Sequence, residues 1–159
     1  MNHVYIGLGS NLSNPAEQVK QAIIEIAKIP SSCIVATSSI YLSRPMGPQD
    51  QDDYINAVLA LKTELPPLIL LDALQAIENK AGRIRKENRW DARILDLDIL
   101  LFGDHIIDNH RLTVPHYGMK EREFVLIPLA EIASAHILPC QSLVATLAKN
   151  INTNGLVKL

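Results

Sequence analysis

Four of the chain's seven arginines, Arg83, Arg85, Arg89 and Arg93, fall within eleven residues, alongside Lys86 and Trp90. The next stretch, residues 94–102, is apolar except for Asp96 and Asp98. Its β-rich composition predicts a strand. Residues i and i+2 of a strand share a face. Leu95, Leu97, Ile99 and Leu101 are therefore expected on a core face. Asp96 and Asp98 are expected on the opposite face, roughly 6.5–7 Å apart. Two carboxylates so close in a partly buried place need a positive partner. A divalent metal or the upstream arginines could supply it. With Glu78 nearby the donors are hard oxygens, which suit Mg²⁺ with retained waters and substrate phosphates. No softer donor set favours zinc. Fixed cations beside such a pair are what a polyphosphate requires as charge moves to its leaving group. The bland alternative is a solvated basic loop beside a salt-bridged strand.

Other candidates lie elsewhere along the chain. Tyr54, Trp90, Tyr117 and Phe124 are four of only seven aromatic residues. A flat heteroaromatic ligand would be held by stacking and an amide, for which Tyr54, Phe124 and Asn56 are suited. For any one aromatic, a core role is the simpler reading. His116 follows Pro115 and could donate to a phosphate, or be a surface histidine. The other histidines show no ligand spacing. Gly7 and Gly9 match neither Gly-rich phosphate motif and read as a plain strand and turn.

The elements that must position these groups follow from pattern. A buried strand is expected over residues 4–8, then a helix from Asn14 as N-cap and Pro15 at N1 to about Lys28. One strand covers 33–41 and a second 54–62, paired antiparallel across a proline- and acid-rich loop at 43–53 whose length suggests binding. In the second strand Tyr54, Asn56, Val58 and Ala60 share a face. Pro66-Pro67 opens a helix over 68–80, with Leu70, Leu71, Leu74 and Ile77 buried and Gly82 at C′. Gln75 and Glu78 should face the acidic strand. A turn at Gly103-Asp104, an extended piece at 112–116, a helix over 120–133 interrupted near Pro128, and a last helix over 142–150 complete the chain. The order strand, helix, strand, strand, helix, strand predicts an α+β ferredoxin-like βαββαβ core. It would form an α/β sandwich, with helices on one face of an antiparallel sheet and the other face open.

Composition sets limits. The 159 residues suffice for a single domain, 1–159, with a real core. A net charge of −2 gives no long-range attraction to nucleic acid. Two distant cysteines, no signal-like N-terminus and no long apolar run predict a cytoplasmic protein without a membrane span.

The segments RPMGPQDQDDYINAV, GRIRKENRWDARILDLDILLFG and RLTVPHYGMKEREFVLIPLAEIA, in this order, resemble the 6-hydroxymethyl-7,8-dihydropterin pyrophosphokinase family of folate biosynthesis. The likeness extends from Tyr5 to about Ala133. It implies transfer of pyrophosphate from ATP to the hydroxymethyl group of the pterin, giving the pterin diphosphate and AMP. It implies Asp96 and Asp98 as ligands of two Mg²⁺ ions. Arg83 and Arg93 match the phosphate-side catalytic cations, with Arg85 and Trp90 on a closing loop. Gln75, Glu78, Ile99, Arg111, Thr113, His116, Tyr117 and Arg122 match ATP contacts. Ser43, Arg44, Met46, Tyr54, Asn56 and Phe124 match the pterin pocket. The implied protein is a monomer whose partners are ATP and the pterin, with no nucleic acid or membrane. Two departures stand out: Asp91 where the family commonly has Gly, and Ser43-Arg44 in the pterin-side loop. Competing readings are another two-metal nucleotide-processing enzyme, such as a nucleotidyl transferase or cyclase, and a non-catalytic ferredoxin-like binding module. Tyr54, Asn56 and Phe124 separate the first from these; an RNA-binding module would need aromatics on the central strands in an RNP-like pattern, and Asp96 and Asp98 would repel phosphate unless metal is bound.

Overall fold

A computed structural model describes residues 1–11, 14–43, 54–82 and 94–159. The core strands are β1 (Asn2–Ser10), β2 (Ser32–Thr37), β3 (Tyr41–Ser43), β4 (Tyr54–Thr63) and β5 (Asp96–Phe102). Helix α1 (Pro15–Ile26) joins β1 to β2, and α2 (Pro67–Lys80) lies between β4 and β5. The sheet runs β5-β1-β4-β3, with β2 also on β4, and all these pairings are antiparallel. This is the ferredoxin-like order expected from the element sequence. After it come a hairpin of β6 (Ile107–Asp108) and β7 (Thr113–Val114), a 3₁₀ turn (Met119–Glu121), α3 (Glu123–Ala133) and α4 (Val144–Asn150). Strand β8 (Val157–Lys158) returns to pair with β3. Among the described residues no helix is long and apolar enough to cross a membrane.

Both faces of the sheet are covered, which corrects the expectation of an open second face. Helices α1 and α2 bury Val19, Ile26, Leu70 and Leu74 against Ile6, Leu8, Ile55, Leu59 and Leu97. On the other side α3 and α4 bury Val125, Leu129 and Val144 against Tyr5, Val58, Ala60 and Leu101. The covering is partial: beyond Val58 and Leu100 that face opens into a cleft. Helix α3 is continuous through Pro128, contrary to the predicted interruption.

Three further differences have local causes. The 33–41 strand is two strands, because Ser38 Oγ accepts the Val58 N–H (2.9 Å) while the Ser38 N–H donates to Val58 O. A side chain thus replaces one rung of the ladder and the chain steps over before β3. Asn14 occupies the N-cap position of α1 in a left-handed conformation, but its side chain makes no capping bond. In β5, Tyr5 pairs with Leu101 and Ile6 with Ile99, so Leu100 is the extra residue of a β-bulge. The bulge reverses the phase of the rest of the strand. Leu97 and Ile99 face α1 and α2 as predicted, whereas Leu101 joins Leu100 on the α3 side.

Helix α3 is tied to β3 by one carboxylate. Glu131 accepts from Tyr41 Oη (2.6 Å), Ser39 Oγ (2.8 Å) and the Ser39 N–H (3.0 Å). Burial alone would push Glu131 up, but these bonds and Lys158 outweigh it and hold the carboxyl below its ordinary range. Burial, with the Glu131 bond and charge, pushes the Tyr41 phenol up. A depressed carboxyl stabilises above its unfolded pKa and loses that contribution as pH falls through the folded value. Glu131→Gln should therefore cost about 1 kcal/mol at neutral pH, less than a buried charged hydrogen bond because the carboxylate is exposed. Urea midpoints of the two proteins should converge as pH falls below the ordinary glutamate range and through the depressed folded value. A difference that persists unchanged into acid would contradict this account.

Candidate active site

The cleft has a glycine floor. Strand β1 lies between β4 and β5, and register aligns Asp98 with Gly7 and Val58, and Asp96 with Gly9 and Asn56. Each row therefore runs acid, glycine, then a β4 residue. The acids and the β4 side chains stand two strand spacings apart, about 10 Å. A Cβ on Gly9 would sit 3.2 Å from Asn56 Oδ1, and one on Gly7 would sit 3.4 Å from Leu100. Glycines within a strand mark close approach by another group. The plain strand-and-turn reading of this pair missed that signal. Both glycines line a cavity of about 260 Å³, together with Ser43, Tyr54, Asn56, Asp96, Asp98, Leu100, His116, Arg122, Phe124 and Val125.

One end of the cleft is amide and aromatic. Asn56 is buried, and its Nδ2 donates to the buried Ser43 Oγ at 2.7 Å. That bond orients the amide and leaves Oδ1 over Gly9, available to a donor. Tyr54 borders this end; burial and then Asp96 push its phenol up, so the hydroxyl is neutral at pH 7. Phe124, at the start of α3, borders it from the other side.

The other end is ionic. Asp98 is half-exposed, and its Oδ2 lies 4.0 Å from His116 Nε2. His116 is placed by the bulge: the spare carbonyl of Leu100 accepts its backbone N–H at 3.0 Å. Its Nδ1 accepts the Gly118 N–H at 3.2 Å. Burial holds the imidazole below its ordinary range, Asp98 draws it up, and Arg122 lowers it further. The neutral ring therefore carries its proton on Nε2, toward Asp98. Tyr117 stacks on His116 at 4.8 Å. The Arg122 guanidinium lies 5.5 Å from the Tyr117 ring and 5.9 Å from the Phe124 ring.

The remaining predicted site residues are spread around this cleft. Arg111 Nη2 donates to Asp72 Oδ1 (2.6 Å) and Gln75 Oε1 (3.3 Å), so Gln75 and Arg111 form a separate exposed group. Thr113 is exposed on β7. Glu78 is buried and does not join Asp96 and Asp98 as a third carboxylate of the cleft. Its Oε2 accepts the Leu97 N–H at 2.8 Å, at the outer edge of β5. Ile99 is buried in the core between the sheet and α1 and α2. Arg44, Met46, Arg83, Arg85, Trp90 and Arg93, with Asp91, lie outside the described residues. Among the described residues no group of three His, Cys, Asp or Glu could hold a metal. A cation here would take two carboxylates at most from these residues, the share Mg²⁺ commonly accepts when phosphates supply the rest.

Residues 5–134 match the family described as 7,8-dihydro-6-hydroxymethylpterin-pyrophosphokinase. The chain is 53% identical over 155 residues to the 2-amino-4-hydroxy-6-hydroxymethyldihydropteridine pyrophosphokinase of Haemophilus influenzae, covering 98% of this chain and 96% of that one. It is 52% identical over 139 residues to the enzyme of the same name from Pseudomonas aeruginosa, covering 87% and 85%. Among solved structures, an HPPK-DHPS in complex with substrates shares the fold, with a TM-score of 0.73 at 12% identity over 94% of this chain. The wild-type Plasmodium falciparum HPPK-DHPS with pteroate gives 0.75 at 14% identity over 93% of this chain. This chain spans less than half the length of those two, 45% and 44%. By the family match and these relatives, the chain belongs to the 7,8-dihydro-6-hydroxymethylpterin-pyrophosphokinase family.

Proposed function

We propose that this chain transfers pyrophosphate from ATP to the hydroxymethyl oxygen of 6-hydroxymethyl-7,8-dihydropterin, giving the pterin diphosphate and AMP for folate biosynthesis. The observation that carries this reading is that one cavity holds both halves of the chemistry. Tyr54, Asn56 and Phe124 lie at one end, and Asp96, Asp98, His116 and Arg122 at the other. Neither a cyclase nor a bare binding module needs the first set beside the second.

The geometry supports a role for each group. The pterin lies between Tyr54 and Phe124, its N–H groups donating to Asn56 Oδ1, which Ser43 holds in place. Its hydroxymethyl group then points along the glycine floor toward the acids. His116 donates from Nε2 to a phosphate oxygen, and Arg122 with Tyr117 borders the triphosphate. Arg111, Gln75 and Thr113 take the nucleoside side. Glu78 contributes there by holding the edge of β5, and Ile99 through its backbone, since its side chain is in the core. Arg83, Arg85, Trp90 and Arg93 keep the phosphate-side roles that the family likeness implies, and Arg44 and Met46 the pterin-side ones.

Asp96 and Asp98 are the groups we assign to two Mg²⁺ ions. The fit rests on their hard donors, their shared face and the room that two side-chain-free glycines leave before them. When bound, Mg²⁺ supplies charge neutralisation on the polyphosphate and lowers the pKa of the attacking hydroxyl. The chain's own contribution is to align pterin and ATP in line and exclude water from the transfer.

The same reading takes residues 1–159 as one domain, acting as a monomer in the cytoplasm without nucleic-acid or membrane partners. Support comes from helices of this chain covering both sheet faces, two free exposed cysteines, and a net charge of −2.

The direct test is AMP release from ATP and Mg²⁺, with and without 6-hydroxymethyl-7,8-dihydropterin. Turnover that requires the pterin is expected; pterin-independent turnover, or none, would sink the proposal. Asp98→Ala should lower turnover at least about a hundredfold while leaving pterin affinity near wild type. Full activity in that variant would refute the metal assignment. Ser43→Ala leaves the Asn56 amide unheld, so pterin KM should rise about tenfold, the equivalent of one lost hydrogen bond. An unchanged pterin KM would show that Asn56 needs no such support.

A further inference from the structure

Gly118 lies in the turn between Tyr117 and the 3₁₀ segment, buried, with φ −101° and ψ 0°. Its φ is negative, so the left-handed freedom of glycine does not explain the residue here. Space does. A Cβ at this position would stand 2.8 Å from Arg122 Nε, 2.9 Å from its Cζ and 3.1 Å from its Nη2. Arg122 thus lies flat on the bare backbone of Gly118, and this pose puts its guanidinium beside both Tyr117 and Phe124. Phe124 lines the cleft at the proposed pterin end, and Tyr117 is the exposed ring outside it proposed for the nucleotide side. We infer that Gly118 is a positioning residue: its missing side chain lets Arg122 lie at the seam between the two substrates. The inference rests on the phosphate-side role proposed for Arg122.

Packing supports a selective effect. The atoms a methyl would meet are at the far end of a long side chain, so the clash is relieved by moving Arg122 and not the fold. The Gly118 N–H bond to His116 Nδ1 would survive an alanine, because it uses backbone alone on the Gly118 side. Gly118→Ala therefore removes one thing, the seat of the guanidinium. A planar fork stacked between rings has less freedom to lose on binding phosphate than a swinging one.

The experiment is a double-mutant cycle in the full chain, with steady-state kinetics for ATP at saturating pterin and thermal melting of each protein. Gly118→Ala should keep the wild-type melting temperature and lower kcat/KM for ATP about tenfold, the loss of one charge-assisted contact. Arg122→Ala should lose at least as much. The double variant should lose no more than Arg122→Ala, because Gly118 acts only through Arg122. A merely structural role would instead multiply the two losses, and that result overturns the inference. So does wild-type kinetics in Gly118→Ala when Arg122→Ala is impaired. If Arg122→Ala itself keeps wild-type kinetics, the phosphate-side role of Arg122 is what fails, and the role of Gly118 falls with it. Absence of pterin-dependent AMP release in the wild-type protein marks failure of the enzymatic reading separately.

Discussion

The pairing of β1 between β4 and β5 is the constraint on which the cleft depends. A one-residue slip in either ladder would turn every side chain to the opposite face. Asp96 and Asp98 would then point into the apolar layer under α1 and α2, and Asn56 with them. The register is held from the other side of the sheet, where Ile6, Leu8, Ile55, Leu59 and Leu97 are buried against both helices. Burial of such side chains contributes about 1.5–3 kcal/mol each, an upper estimate against a compact unfolded chain. The functional face is thus specified by side chains buried on the opposite face of the sheet.

The bulge at Leu100 gives that rigid arrangement its one local adjustment. Without it, the strand would alternate evenly and Leu101 would stay with Leu97 and Ile99. With it, Leu100 and Leu101 both turn toward α3, and Leu100 lines the cleft, while the two acids remain beside the glycines. The same extra residue leaves a carbonyl off the ladder, and the His116 N–H takes it. One irregularity therefore ends the trough and attaches the segment that bears His116, Tyr117 and Arg122. Bulges beside active sites commonly re-aim chain in this way.

Much of this was legible in the sequence, for definite reasons. The element order and the facing of Tyr54, Asn56, Val58 and Ala60 follow from period-two alternation, which β4 keeps throughout. The Asp96/Asp98 face was legible because polar residues interrupt an apolar run. The bulge was not, since residues 99–102 are all apolar and fit either phase. The cover provided by α3 was not legible either. A helix apolar on most sides, with Val125, Leu126 and Leu129 all buried, states that it is buried but not against which face. Glu78 faces the acidic strand as expected, but its contact there was not legible. Its spacing from Gln75 places it on α2 correctly, but only the fold shows that its carboxylate is engaged by the Leu97 N–H at the sheet edge.

The two glycines of β1 complete the physical argument. In a three-strand row, any side chain on the central strand would stand between its neighbours and fill the space where reacting groups must meet. Gly7 and Gly9 leave that space empty while both stay paired in register with β4 and β5. A strand interior glycine weakens a sheet through lost packing and greater unfolded-state freedom. Here β1 offsets that cost on its opposite face, where Ile6 and Leu8 are at most 2% exposed. The central strand is therefore asymmetric by necessity. One face is packed tightly enough to hold the register, and the other is bare so that a flat ligand can reach from Asn56 to the acids.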